Sequence, residues 1–194
     1  MSFSFKTVHK PMRVRDVVFD MWYMCPDFLT EGEIKLIEDS VKSQEFEQSS
    51  TVGDSGVDYR DSRHKWVSFE ESWLYDKIWH WANVANDELW NFELEGFVDN
   101  AQYTCYDAPN GHYDWHLDIL GKNINHRKVS MICLLSDDYV GGNIEFKTSK
   151  MNNLIELPKG GAVFFPSFYL HRLMNVTSGQ RKSLVQWISG DAYR

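Results

Sequence analysis

From Phe97 onward the chain is a succession of short β-branched and aromatic segments, and this texture constrains the fold more than any other feature. The segments are "EGFVDNAQYTCY", "YDWHLDI", "RKVSMICLL", "GNIEFKT", "NLIEL", "GAVFFPS", "HRLMNV" and "KSLVQWI", separated by "DAPNG", "DDYVGG", "PKGG" and "TSGQ". Side chains of this kind fit a pleated, half-buried surface, and the Gly, Pro, Asn and Asp clusters end each run in a turn. About eight such strands predict a two-sheet antiparallel jelly roll or small barrel. The chain before Phe97 has a helical period instead. "DFLTEGEIKLIEDSVKS" opens with a capping box, Thr30 with Glu33 three residues later, and continues with Ile34, Ile37 and Val41 on one stripe. "FEESWLYDKIWHWANVANDELWNF" repeats Leu74, Ile78, Trp81, Ala85 and Leu89 at helical steps. The expected class is therefore α+β, mainly β, with the N-terminal helices packed on the outer face of one sheet.

Between the helices lies "EQSSTVGDSGVDYRDS", polar and Gly/Ser-rich, long enough to be either a simple connection or a functional flap. At 194 residues the chain fits one domain with a sizeable core: residues 1–96 as mostly helical support and lid loop, residues 97–194 as jelly-roll core. Formal net charge is −8, and no Lys/Arg run stands out, which argues against nucleic acid or an anionic membrane as partner. The longest apolar run, around "MICLL", is too short to span a bilayer. "MSFSFKTVHKPMRVRD" lacks the apolar stretch of a secretory leader, so a cytoplasmic protein is expected. The 3 cysteines, Cys25, Cys105 and Cys133, are scattered and suit reduced core positions better than a disulfide framework or zinc knuckle.

"GHYDWHLDI" contains His-x-Asp twice, as His112/Asp114 and His116/Asp118. On one continuous strand all four side chains face the same side, so facing alone does not choose between the pairs. With this composition about one His-x-acid pair arises by chance, and a polar, exposed strand is the bland reading. A second group changes the balance: His171 follows an apolar strand and a Pro-Ser turn, and Arg181 comes 10 residues later. If a late strand lies beside an early one, His171 completes a two-His-one-carboxylate set with open coordination positions. Such a set suits non-haem Fe(II), whereas structural zinc is normally closed by four ligands. Arg181 presents a permanently charged fork matched to a carboxylate, so near a metal it needs an anion such as a dicarboxylate. The competing reading of "TSGQRKS" is a surface Arg at a hairpin end.

These residues resemble the Fe(II)/2-oxoglutarate-dependent dioxygenase superfamily, in its prolyl 4-hydroxylase-like branch. The resemblance is strongest from Gln102 to Trp187. "QYTCYDAPNGHYDWHLD" resembles the family's Gln, Tyr, Gly, Tyr and His-x-Asp succession. "RKVSMICLLSDDYVGGNIEF" and "LPKGGAVFFPSFYLHRLMNVTSGQRKSLVQW" resemble its later strands, distal His and Arg; "FLTEGEIKLI" and "VDYRDSRHKW" match more loosely. The family pattern sets a Tyr three residues before the ligand His, which selects His116/Asp118, preceded by Tyr113 and Tyr106.

The resemblance implies a double-stranded β-helix core and His116, Asp118 and His171 as iron ligands. It implies Arg181 on the distal carboxylate of 2-oxoglutarate, aided by Ser183, with Tyr106 hydrogen-bonding the co-substrate. Tyr113, Trp187 and Arg60 are expected around the substrate. Two positions depart from relatives: many carry Lys in place of Arg181, and some Arg-bearing members place a Tyr where this chain has Leu134. The implied activity is hydroxylation of a peptidyl or protein prolyl residue with Fe(II), 2-oxoglutarate and O2, with ascorbate as reductant. The alternatives are the same chemistry on another side chain or a small molecule, or a non-catalytic jelly-roll binding module. Oligomeric state is not legible in the sequence.

Overall fold

The computed structural model describes residues 21–49, 59–119, 125–148 and 151–192. Except for Ser49, the segment 49–56 read as a lid lies outside the described residues, as does the N-terminal stretch "MSFSFKTVHKPMRVRD".

The helices form where their caps and apolar stripes predict. Helix α1 (Glu31–Ser40) follows Thr30, whose Oγ1 accepts from the Glu33 amide while the Glu33 carboxylate accepts from the Thr30 amide. Helix α2 (Ser72–Leu89) ends at Trp90, and the Asn86 side chain then holds both the amide and the carbonyl of Phe92. Its buried face is Leu74, Tyr75, Ile78, Ala82, Ala85 and Asn86; Trp81 and Leu89, expected on that face, are only half-buried at its margin.

Among the described residues thirteen strands make two sheets. In the larger, β1 (Tyr23–Cys25), β11 (Ala162–Pro166), β7 (Arg127–Leu134), β13 (Val176–Ser189), β5 (Ala101–Asp107), β4 (Arg63–Val67) and β2 (Glu47–Gln48) lie in that order, with β8 (Tyr139–Gly141) paired to β13. The smaller orders β10 (Asn152–Ile155), β9 (Ile144–Lys147), β12 (His171–Leu173), β6 (His112–His116) and β3 (Arg60–Asp61). Every pairing is antiparallel. The expected jelly roll with helices on one sheet is what forms. Besides its helices, the first part contributes β1, β2 and β4 to the edges of the larger sheet and β3 to the smaller. One feature differs from the sequence reading. "DDYVGG" and "TSGQ", read as turns, contain β8 and part of the first stretch of β13. Gly179 at φ +74° lets β13 pass there against the Asp138 carbonyl, where a Cβ has no room.

Alternation along the larger sheet separates two cores. Ala101, Tyr103 and Cys105, with Val129, Met131, Cys133, Ala162, Phe164, Leu184 and Ile188, face the helices and pack on Ile34, Ile37, Leu74 and Ile78. Fully burying side chains such as Leu74 and Ile78 contributes about 1.5–3 kcal/mol each. Val163, Phe165 and Tyr106 face the other way and meet Ile144, Phe146, Ile155, Leu173 and Val176 between the sheets. The three cysteines are buried and unpaired. Among the described residues no helix is long and apolar enough to cross a membrane.

Candidate metal and co-substrate centre

Strand pairing brings the distant motifs together. His171 on β12 is the register partner of His116 on β6, and the turn after β6 carries Asp118 to the same point. Among the described residues one cluster of three possible metal ligands stands out, His116, Asp118 and His171, with ligand atoms all within 4.8 Å of one another and all three residues buried. His116 Nε2 lies 3.6 Å from Asp118 Oδ1, and His171 Nε2 lies 3.8 Å from Asp118 Oδ2.

Each imidazole is oriented from behind. His116 Nδ1 is 2.7 Å from the Asp114 carbonyl, and His171 Nδ1 is 2.8 Å from the Tyr169 carbonyl. A carbonyl only accepts, so each Nδ1 carries the proton and each Nε2 turns a lone pair toward Asp118. Burial, with His171 beside it and Asp118 opposing, pulls the His116 pKa down to about 3, so it is neutral at physiological pH. Burial also works against the Asp118 charge, but His171, His116, the Ser130 hydroxyl and Arg127 hold its carboxyl below the ordinary range. Ser130 Oγ donates to Asp118 Oδ2 at 2.6 Å and lies 2.9 Å from Ser167 Oγ. The Asp118 amide donates to the Ser167 carbonyl at 2.9 Å. Two imidazole nitrogens and one oriented carboxylate oxygen, each fixed by a second contact, fit a divalent ion that accepts N and O donors.

The four residues of the double motif do not share one face. Between His171 and Leu173 the pairing of β12 with β6 slips by one residue, and this bulge breaks the period-two alternation. Tyr113 and His116, three apart, therefore stack with ring centroids 3.4 Å apart, both lining the cavity. His112 Nδ1 instead meets the Asn110 carbonyl at 2.7 Å, and the Asp114 carboxylate accepts from the Trp115 amide. His112 and Asp114 line a separate groove.

The cavity between the sheets encloses about 460 Å³, and all nine residues singled out in the sequence line it: Tyr113, His116, Asp118, His171, Arg181, Tyr106, Ser183, Trp187 and Arg60. Arg181 is directly opposite Tyr106 in the β13–β5 ladder and is 2% exposed, which rules out the surface-hairpin reading. Its guanidinium lies 5.9 Å from both the Tyr106 and Tyr139 ring centres. Its Nε has no hydrogen-bond partner, and no carboxylate pairs with it among the described residues. A buried, unpaired guanidinium is costly unless an anion completes it. Gly142, at φ +64°, leaves it room: a Cβ there would sit 2.8 Å from Arg181 Cδ.

Several contributors escaped the sequence reading. Ser130 is a lone hydroxyl on an apolar strand, and its inward parity, shared with Ile132 and Leu134, was the available signal. Ser167 had only its place in the Pro-Ser turn. Arg127, paired with Asp99 at 2.7 Å and 3.7 Å above the Trp187 ring, had no local signal at all.

Residues 101–189 match the family described as the 2OG-Fe(II) oxygenase superfamily. This region belongs to that superfamily. A PKHD-type hydroxylase of Prochlorococcus marinus is 36% identical over 124 residues, 63% of this chain and 54% of the relative. One from Synechococcus sp. is 38% identical over 80 residues, 40% of this chain and 36% of the relative. The chain thus spans roughly a third to a half of the length of these relatives. Among solved structures, a Pseudomonas putida prolyl-4-hydroxylase superposes with TM-score 0.70 at 18% identity, covering 89% of this chain and 94% of that one. A Trichoplax adhaerens prolyl hydroxylase in complex with a hypoxia inducible factor peptide fragment gives TM-score 0.73 at 16% identity, covering 87% and 83%. These likenesses are of fold, and they agree with the jelly roll that the oxygenase region forms.

Proposed function

We propose that the chain is an Fe(II)- and 2-oxoglutarate-dependent hydroxylase, acting first of all on a prolyl residue of a peptide or protein. The single observation that carries this reading is the pairing of an open three-ligand set with a buried, unpaired Arg181 in one cavity. A ferrous ion bound there with 2-oxoglutarate and O2 would couple oxidative decarboxylation of the co-substrate, to succinate and CO2, to hydroxylation of a substrate C–H bond. His116, Asp118 and His171 would hold the ion, and the carbonyls behind the two Nδ1 atoms aim both Nε2 atoms at it. Arg181 would bind the distal carboxylate of 2-oxoglutarate as a charged fork, with the Ser183 and Tyr106 hydroxyls adding hydrogen bonds. Tyr113 and Trp187 would shape the substrate side, and the two sheets exclude water from the space between them.

The same residues serve hydroxylation of another side chain or of a small molecule, since fold does not fix substrate. The orphaned Arg181 argues against a non-catalytic binding module, which gains nothing from a buried unmet charge. The acidic balance, −8 overall, argues against nucleic acid as substrate. Three buried free thiols suit a reducing compartment, which supports the cytoplasmic reading. Both halves of the chain line the cavity, so we read it as one catalytic unit, with ascorbate as an optional reductant.

The test is anaerobic titration of metal-free protein with Fe(II) and 2-oxoglutarate, followed by O2. A weak visible absorption on mixing and succinate after O2, both lost in His171→Ala, are the expected results. A folded protein giving neither would leave the binding-module reading in its place.

A further inference from the structure

Four arginines line the cavity, Arg60, Arg127, Arg172 and Arg181, and their charges are met unequally. Arg127 is paired with Asp99 at 2.7 Å and Arg172 with Glu145 at 2.5 Å. Arg181 and Arg60 have no carboxylate partner among the described residues. The hydroxylase reading gives Arg181 a carboxylate of 2-oxoglutarate. It sets Arg60 near the substrate without naming what its charge meets.

Arg60 is nonetheless built into place. On β3 it faces Tyr113 in register, and its guanidinium lies 4.5 Å over the Tyr113 ring. Its Nε donates to Ser62 Oγ at 2.8 Å and its Nη2 to Gln102 Oε1 at 3.0 Å. Both acceptors are neutral, so they orient the fork without cancelling its charge, and Nη1 has no hydrogen-bond partner among the described residues. Because the Tyr113 ring also stacks on the His116 imidazole, Arg60 stands one ring's thickness from the metal ligands. A half-buried cation held in one orientation by neutral partners beside the reacting position is arranged to receive an anion. Titratable groups near it are Glu47, 68% exposed at the rim, His64, whose pKa burial and Arg60 itself lower, and, across the Tyr113 ring, the His116/Asp118 pair.

We infer that Arg60 is a specificity-determining residue that selects substrates carrying a carboxylate close to the carbon that is hydroxylated. This rests on the hydroxylase reading and narrows its substrate class: a prolyl or other residue at a free C-terminus, or beside an acidic side chain, or a small amino-acid-like acid. Arg181 does not serve the same purpose, because 2-oxoglutarate occupies it during turnover.

The experiment compares N-acetyl-L-proline with N-acetyl-L-prolinamide, and an Asp-Pro with an Asn-Pro tetrapeptide, on the Fe(II)-loaded protein with saturating 2-oxoglutarate. Binding is read anaerobically by calorimetry and product by mass spectrometry after O2. A charge-assisted contact predicts about ten- to a hundredfold preference for at least one carboxylate probe over its neutral partner. Arg60→Gln should abolish that preference and Arg60→Lys should retain part of it, while 2-oxoglutarate affinity stays unchanged in both. No preference in the unsubstituted protein, or one that survives Arg60→Gln, overturns the inference while 2-oxoglutarate binding and succinate keep the hydroxylase reading. Carboxylate selectivity lost in Arg60→Gln with no succinate from any probe keeps the Arg60 site and sinks the hydroxylase reading instead.

Discussion

The Ser130 hydroxyl sits 2.6 Å from Asp118 Oδ2, so the carboxylate of the candidate metal set is aimed by a side chain on the larger sheet. Asp118 itself follows β6 of the smaller sheet, and this contact, together with its amide on the Ser167 carbonyl, ties the two sheets together at the chemistry. Ligand geometry therefore depends on how the sheets face each other, not only on the ligand-bearing turn.

Ser130→Ala should leave the fold intact and lower Fe(II) or Mn(II) affinity about ten- to a hundredfold, the usual cost of losing a contact behind a ligand. Metal titration followed by fluorescence checks this, with thermal unfolding as the control. Unchanged affinity would show that Asp118 is held by the Ser167 backbone alone.

The two His-x-Asp pairs make opposite predictions. His116→Ala should abolish metal binding at micromolar metal. His112→Ala, whose ring meets the Asn110 carbonyl outside the cavity, should bind within about threefold of the unsubstituted protein. Parallel titrations of the two variants decide the register of the motif.

Gly142→Ala introduces a Cβ at φ +64° and 2.8 Å from Arg181 Cδ. The strain and overpacking together should cost roughly 1–3 kcal/mol of stability. Displacement of the guanidinium should raise the KM for 2-oxoglutarate about tenfold. Urea denaturation and succinate kinetics measure the two effects separately. A stability loss with unchanged KM would mean that Arg181 does not move.

His64 provides a pH signature away from the metal set. Burial, then the Arg60 charge, lowers its pKa, while Glu47 works in the opposite direction; its Nδ1 lies 3.0 Å from Ser49 Oγ. The folded state therefore binds fewer protons at this site than the unfolded one. Its stabilising contribution is complete above the unfolded pKa of about 6.5 and is lost as pH falls through the folded value. The stability advantage of the unsubstituted protein over His64→Gln, measured in urea without metal, should shrink from pH 7.5 to pH 5.5. A constant or growing difference would place His64 in an environment that favours its charged form.

The sequence by itself determined the local elements and the chemistry on offer. The Thr30/Glu33 box fixed the start of α1, and the run of short β-branched segments with turn residues fixed an antiparallel β core, because caps and alternation act within a few residues. His116, Asp118, His171 and Arg181 were legible as residue types that would make a site if gathered. What gathers them is pairing between distant strands: β12 beside β6, β13 beside β5. No local rule states which strands become neighbours. The bulge opposite His171, which parts His116 from His112, is likewise set by the partner strand. So is the Ser130–Asp118 contact across the sheets. Even Arg60, on a two-residue edge strand, keeps its charge unmet because the side chains that fold in to accept its hydrogen bonds, Ser62 and Gln102, are neutral, and that is a property of the tertiary structure alone.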